Sequence, residues 1–157
     1  MMKAKILCIL AVTATLISSC DLLNCTPADV RCLQIALFDS EENPLTLPDT
    51  LTVKACGTDS VLLNRSLNTK EILLPLSYHA PVDSFILLYY GDGFSLKDTL
   101  FVAKTNDIFF ESPDCPTVMM HTIKSAHCTN EYIDSVSIVD AKVNFTETTH
   151  IKLFFRD

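Results

Sequence analysis

The feature that most constrains the fold is a two-residue alternation of apolar and polar side chains, which recurs in short segments beyond residue 32. Leu51, Val53 and Ala55, for example, alternate with Thr52 and Lys54. Because successive side chains of a strand point to opposite faces, this period is typical of a half-buried β-strand, and no segment after residue 20 shows a convincing helical period. The segments with strand character are 33–38, 51–55, 60–64, 72–76, 85–90, 94–103, 108–110, 118–123, 133–143 and 151–155.

Turn signals separate these segments at short intervals. The clearest is Gly91-Asp92-Gly93 between two apolar runs, where glycine supplies the positive φ that a tight hairpin requires. Many short strands separated by such turns predict an all-β fold, specifically an antiparallel immunoglobulin-like β-sandwich, with an open β-barrel as the alternative architecture. Since the chain contains no internal repeat and no low-complexity linker, we expect one β-sandwich domain over residues 32–157.

The N-terminal segment has the composition of a bacterial lipoprotein signal peptide. Lys3 and Lys5 supply positive charge, residues 6–17 form an apolar run, and two serines precede Cys20. The run is shorter than the about 20 residues that span a bilayer and has the length of a signal-peptide apolar region. Lipoprotein processing alkylates a cysteine thiol and cleaves before it, so we predict lipidation of Cys20; the alternative is an ordinary secretory signal with a chance cysteine. The predicted segments are a signal peptide over residues 1–19 and a lipidated tether over 20–31.

The predicted location is the cell envelope, with the protein anchored in membrane lipid of the outer membrane through acylated Cys20. Residues 21–24 lack the dense acidic run that accompanies export to the cell surface, which favours a periplasm-facing position. The formal net charge of −7 becomes more negative once the lysines of the signal are removed. An acidic chain with scattered basic residues argues against nucleic acid and anionic lipid surfaces as partners.

Five cysteines follow Cys20, at positions 25, 32, 56, 115 and 128. Export allows disulfides to persist, and an odd number leaves at least one cysteine outside the intramolecular bridges. The favoured bridge ties the N-terminal segment to the loop at Cys115, with either Cys25 or Cys32 as its partner. The cysteine spacing matches no zinc motif.

The chain lacks the common catalytic and cofactor motifs. Its three glycines form no phosphate-binding loop, and no serine lies in a Gly-x-Ser-x-Gly sequence. His121 and His127 would share one face of an extended strand, but roughly 20 Å apart they are too distant to share a metal ion. Asp39, Glu41 and Asn43 alternate like part of a calcium loop, but the glycine that such a loop requires is missing. We therefore predict a non-enzymatic protein with no cofactor and no metal.

A tripeptide of aspartate, serine or threonine, and an aliphatic residue occurs four times. Aspartate and serine favour turns, and aliphatic residues begin strands, so the pattern has a structural explanation. The same tripeptide resembles the acceptor sequence for O-glycosylation of exported Bacteroidota proteins, and we expect a glycan on at least one of its hydroxyl residues. The candidates are Thr50, Ser60, Thr99 and Ser135.

Several short pieces of the chain, taken in order, carry a resemblance to other proteins. The pieces are Cys20 with nearby Cys25, Leu51-Thr52-Val53, Gly57-Thr58-Asp59-Ser60-Val61, Ile72-Leu73-Leu74-Pro75-Leu76, Asp98-Thr99-Leu100, Phe110-Glu111-Ser112-Pro113-Asp114-Cys115, Met120-His121-Thr122-Ile123, Ile133-Asp134-Ser135-Val136 and His150-Ile151-Lys152-Leu153-Phe154-Phe155. Together they resemble an uncharacterised family of small Bacteroidota lipoproteins, and the resemblance covers nearly all of the chain after the signal. It implies the bacterial lineage and the cell-envelope compartment, no established activity, and a partner that is an outer-membrane protein of β-barrel type. Pro116 follows Cys115 where this family usually has glycine.

These observations favour a lipid-anchored accessory module that interacts with another outer-membrane protein. Adjacent aromatic pairs are candidates for a docking surface, because neighbouring strand residues lie on opposite faces and both rings of a pair cannot easily enter one core layer. Alternatively, the second ring of a pair packs under a loop or across the other sheet. The alternative is a glycan- or small-ligand-binding lipoprotein with exposed tyrosines in a cleft, and a hydrolase would need a histidine beside a nucleophile. The docking candidates are Phe109, Phe110, Tyr89, Tyr90, Phe154 and Phe155, and the cleft candidates are Tyr78, Tyr89, Tyr90 and Tyr132.

Overall fold

The computed structural model describes residues 25, 31–58 and 60–156 of the chain. Within these residues there are ten β-strands and no helix, so the all-β prediction is confirmed. The predicted signal peptide over residues 1–19 and the lipidation site Cys20 lie outside the described residues. The strands are β1 Cys32–Phe38, β2 Thr50–Ala55, β3 Val61–Ser66, β4 Glu71–Pro75, β5 Val82–Gly91, β6 Phe94–Phe109, β7 Val118–Cys128, β8 Ile133–Ile138, β9 Lys142–Val143 and β10 Ile151–Phe155.

The strands form two sheets whose buried faces share one apolar core. The four-stranded sheet has the order β4-β1-β10-β8, and the six-stranded sheet has the order β3-β2-β5-β6-β7-β9. One of the two sheets curls into half a barrel. Neighbouring strands are antiparallel except β1 and β10, which run parallel with Ile35 opposite Ile151. The sequence predicted only antiparallel pairing. Because the paired segments are 116 residues apart at Gln34 and His150, no hairpin dictates their relative direction.

The core is built from the inward row of each strand. In β1, Leu33, Ile35 and Leu37 are buried, whereas Gln34 and Ala36 lie half-buried on the opposite face. Burying one such leucine or isoleucine side chain stabilises the fold by about 1.5–3 kcal/mol. A one-residue slip of the strand would expose the whole row, so the alternation determines the register. Other buried apolar side chains are Leu51, Val53, Ile72, Leu74, Leu100, Val102, Ile133, Ile151 and Leu153.

The predicted hairpin between β5 and β6 is present. Gly91 lies opposite Phe94, so the turn consists of Asp92 and Gly93. Gly93 has a φ of 80°, a conformation that glycine adopts at little cost. The glycine signal therefore predicted this connection correctly.

Strand β6 is longer than the sequence predicted. The pattern indicated separate segments at 94–103 and 108–110, with a polar interruption between them. In the structure the strand continues, because Lys104 lies opposite Ile123 and Asn106 lies opposite His121 in the ladder with β7. Polar side chains can occupy inward positions of a strand when hydrogen bonds satisfy them.

The predicted strand over 133–143 is divided between the two sheets. Strand β8 pairs with β10 in the four-stranded sheet, whereas β9 pairs with β7 in the six-stranded sheet. Between them, the Val139 N–H donates to the His150 carbonyl over 2.8 Å, and the Ile123 N–H donates to the Ala141 carbonyl over 2.7 Å. These bonds satisfy backbone groups where the chain changes sheets.

A bulge at Lys124 reverses the faces of β7. The ladder with β6 passes from Ile123 directly to Ser125, so Lys124 has no cross-strand partner. On one side of the bulge His121 is buried, and on the other side His127 is exposed. The prediction that the two histidines share one face is wrong, because one extra residue shifts the alternation.

The turn from β7 into β8 is held by a single carboxylate. Asp98 on β6 is only 2% exposed. Its oxygens accept hydrogen bonds from Thr129 Oγ1 over 2.6 Å and from the backbone N–H groups of Glu131, Tyr132 and Ile133 over 2.8–2.9 Å. Burial raises the pKa of Asp98, but these hydrogen bonds outweigh it and hold the pKa below its usual value. The ionised carboxylate therefore positions the start of β8.

We expect Asp98→Asn to lower the free energy of unfolding by about 3 kcal/mol, because an amide leaves a buried backbone N–H without an acceptor. The matched control is Asp134→Asn, since the exposed Asp134 carboxylate lies 3.4 Å from Arg156 and such surface pairs contribute less than about 1 kcal/mol. Urea unfolding measures both variants, and equal losses would contradict the role of Asp98. The contribution of Asp98 to the free energy of unfolding should be fully present above pH 3.8, the ordinary pKa of an aspartate. It should be lost as the pH falls through the lower pKa that Asp98 has in the folded state.

Candidate functional site

Strand β5 carries apolar side chains on both of its faces. Phe85, Leu87 and Tyr89 are buried in the core. On the opposite face Ile86 and Leu88 are half-buried, and Tyr90 is 38% exposed. A sheet with one solvated face usually places polar residues on that face, so this strand resembles one that is covered on both sides.

The apolar surface continues onto β6. Ser84 of β5 lies opposite Phe101, whose ring stacks on the ring of His127 with centroids 4.9 Å apart. We call Ile86, Leu88, Tyr90 and Phe101 the outer apolar row. The row lies on the solvent side of the six-stranded sheet and forms an apolar strip there. A shallow cavity of about 330 Å³ adjoins the row and is lined by Thr52, Lys54, Val61, Asn64, Arg65, Leu88 and Tyr90.

The charges around the outer apolar row are basic. Lys54 lies opposite Ile86 on β2, and Lys97 lies opposite Leu88 on β6. Arg65 lines the adjoining cavity. The chain as a whole is acidic, with a formal net charge of −7, so this basic border differs in sign from the rest of the molecule.

The adjacent aromatic pairs are split between faces as predicted. Tyr89 is buried and Tyr90 is exposed; Phe155 is buried, and Phe154 is half-buried against Phe38 with ring centroids 5.6 Å apart. The remaining pair lies at the end of β6. There the Phe109 ring contacts the Phe145 ring at 5.2 Å, whereas Phe110 is 60% exposed. Of the six docking candidates, Tyr90 and Phe110 are therefore the two exposed ones.

An aromatic cleft of about 380 Å³ opens beside the β5–β6 hairpin. The Tyr89 and Tyr132 rings stack with centroids 4.9 Å apart, and Phe94 lies 5.5 Å from Tyr89. The Phe94 ring also covers Gly91, where any Cβ would collide with it. Burial raises the pKa of Tyr132, so its hydroxyl stays protonated. The charged side chains that line this cleft are Glu131 and Arg156.

The four tyrosines proposed from sequence do not form one site. Tyr89 and Tyr132 line the aromatic cleft, but Tyr90 lies on the opposite face of the sheet. Tyr78 stacks on His121 with centroids 6.2 Å apart. Sequence reasoning missed Phe94, although its place directly after the Gly91-Asp92-Gly93 turn could have indicated a ring packed on the hairpin.

A polar cleft of about 390 Å³ lies against the four-stranded sheet. His150 lines it and is buried, and its Nδ1 accepts a hydrogen bond from the Gln34 N–H over 3.0 Å. The proton of this ring therefore resides on Nε2, which has no hydrogen-bond partner among the described residues. Burial lowers the pKa of His150. The Gln34 side chain donates to Glu71 over 3.1 Å at the same cleft.

A buried lysine connects β6 to the loop before β5. Lys104 Nζ donates to the carbonyls of Ser77 over 2.6 Å and Ala80 over 2.8 Å, and to Asn106 Oδ1 over 2.7 Å. Its side chain is 0% exposed and lies 3.3 Å from Asp83 Oδ2. An unpaired ammonium would be very costly to bury, so these partners are what allow a lysine at an inward position.

His121 belongs to the same polar cluster. Asn106 donates its amide N–H to the Ala80 carbonyl, so its oxygen faces both Lys104 and His121. His121 Nδ1, 2.8 Å from that oxygen, is therefore the donor. Burial and then the nearby Lys104 charge lower the pKa of His121, although Asp83 and Asp107 oppose this. The neutral ring has a structural role in this cluster.

The predicted O-glycosylation residues differ in exposure. Ser60 and Ser135 are exposed. Thr50 is half-buried and its hydroxyl donates to the Tyr90 carbonyl over 3.3 Å. Thr99 is half-buried within β6, where its N–H donates to Thr129 Oγ1 over 3.0 Å. Two of the four hydroxyls are thus readily accessible.

The disulfide joins Cys25 to Cys115, with Cα atoms 5.6 Å apart. Of the two partners that the sequence left open for Cys115, the bonded one is Cys25, and Cys32 begins β1.

Asp39 accepts hydrogen bonds from the N–H groups of Glu41 and Asn43, which makes its loop a local turn. Among the described residues, no group of three or more His, Cys, Asp or Glu side chains is placed to hold a metal ion.

We expect the free energy of unfolding to fall as the pH is lowered through 6.5, the ordinary pKa of a histidine. The folded-state pKa values of His121 and His150 lie below the usual 6.5, so the unfolded chain takes up protons that the folded chain excludes. Stability is therefore complete above that value and declines as the pH falls, by up to about 1.4 kcal/mol per pH unit for each residue.

Chemical unfolding at several pH values measures this slope. His121→Asn and His150→Asn should each reduce it, whereas the exposed His127→Asn is the control and should retain it. An unchanged slope in both test variants would show that neither buried histidine causes the pH dependence.

Comparisons with known proteins place the chain in a family. No helix among the described residues has both the length and the apolar character needed to cross a membrane. Neither the curated proteins nor the solved structures provide a significant match. A protein-family model matches residues 50–155, from the start of β2 to the end of β10. This range is narrower than the resemblance seen in the sequence, because it leaves out β1 and Cys25. The chain belongs to this family, a family of unknown function (DUF6452), and its predicted membership of an uncharacterised family is confirmed at that level.

Proposed function

We propose that this protein is a lipid-anchored, non-enzymatic module of the outer membrane of a Bacteroidota cell, and that it docks on another outer-membrane protein. Acyl chains on Cys20 provide the anchor. Each buried methylene contributes about 0.8 kcal/mol, and two chains give stable attachment. The signal-like segment over residues 1–19 supports this anchor, and the absence of an acidic run at 21–24 supports a periplasm-facing position.

The observation that carries the docking proposal is the apolar character of β5 on both faces. Ile86, Leu88 and Tyr90 lie on the side that no second sheet covers among the described residues. If only one face of a strand is buried, a second apolar row adds no stability. If a partner protein covers the other face, burial of that second row stabilises the complex. Full burial of one such side chain contributes about 1.5–3 kcal/mol.

The basic border describes the partner chemically. Lys54 and Lys97 flank the outer apolar row, and Arg65 lines the cavity beside it. A partner surface with an apolar centre and acidic residues at its rim would complement both features. Most other surfaces of this acidic chain would repel such a partner, so the charge selects the docking face.

A modest contact area is sufficient for binding when the partner is held in the same membrane. Two proteins held at one bilayer meet at a high effective concentration, so a contact of low intrinsic affinity is sufficient. A β-barrel protein of the outer membrane is the class of partner that the family resemblance implies. Its periplasmic or rim surface would be within reach of an anchored domain.

Three of the perturbed ionisable groups have structural roles, which supports a non-enzymatic function. Asp98 holds the turn into β8, and His121 joins the Lys104 cluster. Tyr132 stacks on Tyr89 and contacts Phe155. Each of these groups has a structural explanation for its environment, which removes the usual argument for a catalytic residue.

We expect Leu88→Ser to reduce recovery of the partner at least about fivefold, a loss of roughly 1 kcal/mol of binding free energy. The measurement is purification of the tagged protein after cross-linking in intact cells, followed by mass spectrometry. Leu73→Ser is the matched control, because Leu73 is an exposed leucine of the other sheet. Circular dichroism checks that both variants fold.

Equal recovery with both variants would contradict docking through the outer apolar row. Recovery of no protein in any sample would contradict the docking role itself and favour ligand binding in the aromatic cleft.

We also propose that the protein carries an O-glycan on Ser60 or Ser135, the exposed hydroxyls of the repeated tripeptide. The intact mass of the native protein should exceed that of the acylated polypeptide. Ser60→Ala or Ser135→Ala should remove the added mass, whereas Thr99→Val should not. A native mass equal to the acylated polypeptide alone would overturn this proposal.

A further inference from the structure

The paired ends of β6 and β7 form an arm with one uncovered apolar side. Residues 104–109 of β6 pair with residues 118–123 of β7, beyond the part of β6 that pairs with β5. Ile108 is 69% exposed and Phe110 is 60% exposed. As alternate residues of an extended segment, they lie on the same side of the arm. Met119, the cross-strand partner of Ile108, is half-buried.

The opposite side of the arm is covered by the chain itself. The Phe109 ring packs edge-on against Phe145, with centroids 5.2 Å apart, and Val118 opposite Phe109 is buried. Arg31 lies over the Phe145 ring at 4.5 Å. The domain therefore supplies its own apolar packing on one side of the arm, while Ile108 and Phe110 face outward.

The disulfide ties this arm to the predicted anchor. The loop that follows Phe110 contains Cys115, which is bonded to Cys25. Cys25 is five residues from Cys20, and five extended residues span at most about 18 Å. The Cα atoms of Cys25 and Cys115 are 5.6 Å apart. The arm is thus held within a short distance of the residue that carries the acyl chains.

We propose that the tip of the arm lies in the membrane interface, with Ile108 and Phe110 inserted at the boundary between headgroups and acyl chains. This inference rests on the lipid anchor of the proposed function. Apolar side chains gain free energy when they leave water for that region. Because the disulfide already holds the tip near the bilayer, insertion needs little further loss of translational freedom.

The charges near the tip of the arm indicate which class of lipid headgroup it contacts. Asp107 and Asp114 are exposed and lie within four residues of Ile108 or Phe110 along the chain. Carboxylates are repelled by anionic headgroups, so the favoured surface is zwitterionic, with headgroups of the phosphatidylethanolamine class. This agrees with the acidic character of the whole chain, which argues against binding to anionic lipid.

The absence of tryptophan from the chain allows a direct test. The acylated Phe110→Trp protein is reconstituted into vesicles of phosphatidylethanolamine and phosphatidylcholine whose acyl chains are brominated. Bromine quenches tryptophan fluorescence on contact. We expect the emission to fall to about half or less and to shift to shorter wavelength, and Ile108→Trp, a second variant, to behave alike. The control is Tyr90→Trp, because Tyr90 lies opposite Ser95 at the far end of β6 and should not be quenched.

Vesicle flotation of the same samples distinguishes a failure of the lipid anchor from a failure of the arm to insert. If the protein floats with the vesicles and neither tip variant is quenched more than Tyr90→Trp, the arm does not insert, although the anchor stands. If the protein does not float, the anchor fails and the insertion of the arm fails with it.

Discussion

The structure depends on the hydrogen bonds that the buried carboxylate of Asp98 accepts from the turn between β7 and β8. That turn takes the chain out of the six-stranded sheet and into the four-stranded sheet. A carboxylate on β6 thereby links the longest strand to the sheet that faces it. Hydrogen bonds to an ionised group are about twice as strong as neutral ones, which suits a position where the topology changes. This turn is one of the connections through which the chain passes between the two sheets, whose inward apolar rows form the shared core.

Much of the fold could be predicted from the two-residue alternation alone. Rows such as Leu33, Ile35 and Leu37 indicate a strand and its buried face together. The departures arise where tertiary contacts override the local pattern. Lys104 looked like the end of a strand, but carbonyl oxygens from a loop before β5 receive its ammonium and let the strand continue. The bulge at Lys124 likewise depends on pairing with β6, which no local pattern reveals.

The candidate surfaces were only partly visible in the sequence. The run of six apolar residues at 85–90 predicted a strand, and its adjacent tyrosines indicated one ring on each face. The sequence could not show that β5 lies inside a sheet whose outer side no other described strand covers. The structural roles of His150 and Phe94 were not predicted, because they come from neighbours far along the chain, such as Gln34 for His150. The proposed placement of the arm near the proposed anchor depends on the pairing of Cys115 with Cys25, which the sequence had left open between Cys25 and Cys32.

The central claim is that the outer apolar row of β5 is a contact surface for another protein of the same membrane. A photoactivatable amino acid at position 88, introduced in intact cells, tests it most directly. The same amino acid at position 137 is the control, since Ser137 is an exposed residue of β8 in the other sheet. The claim predicts one adduct of defined mass at position 88 and none at position 137. No adduct at position 88, or the same adducts at both positions, would contradict it.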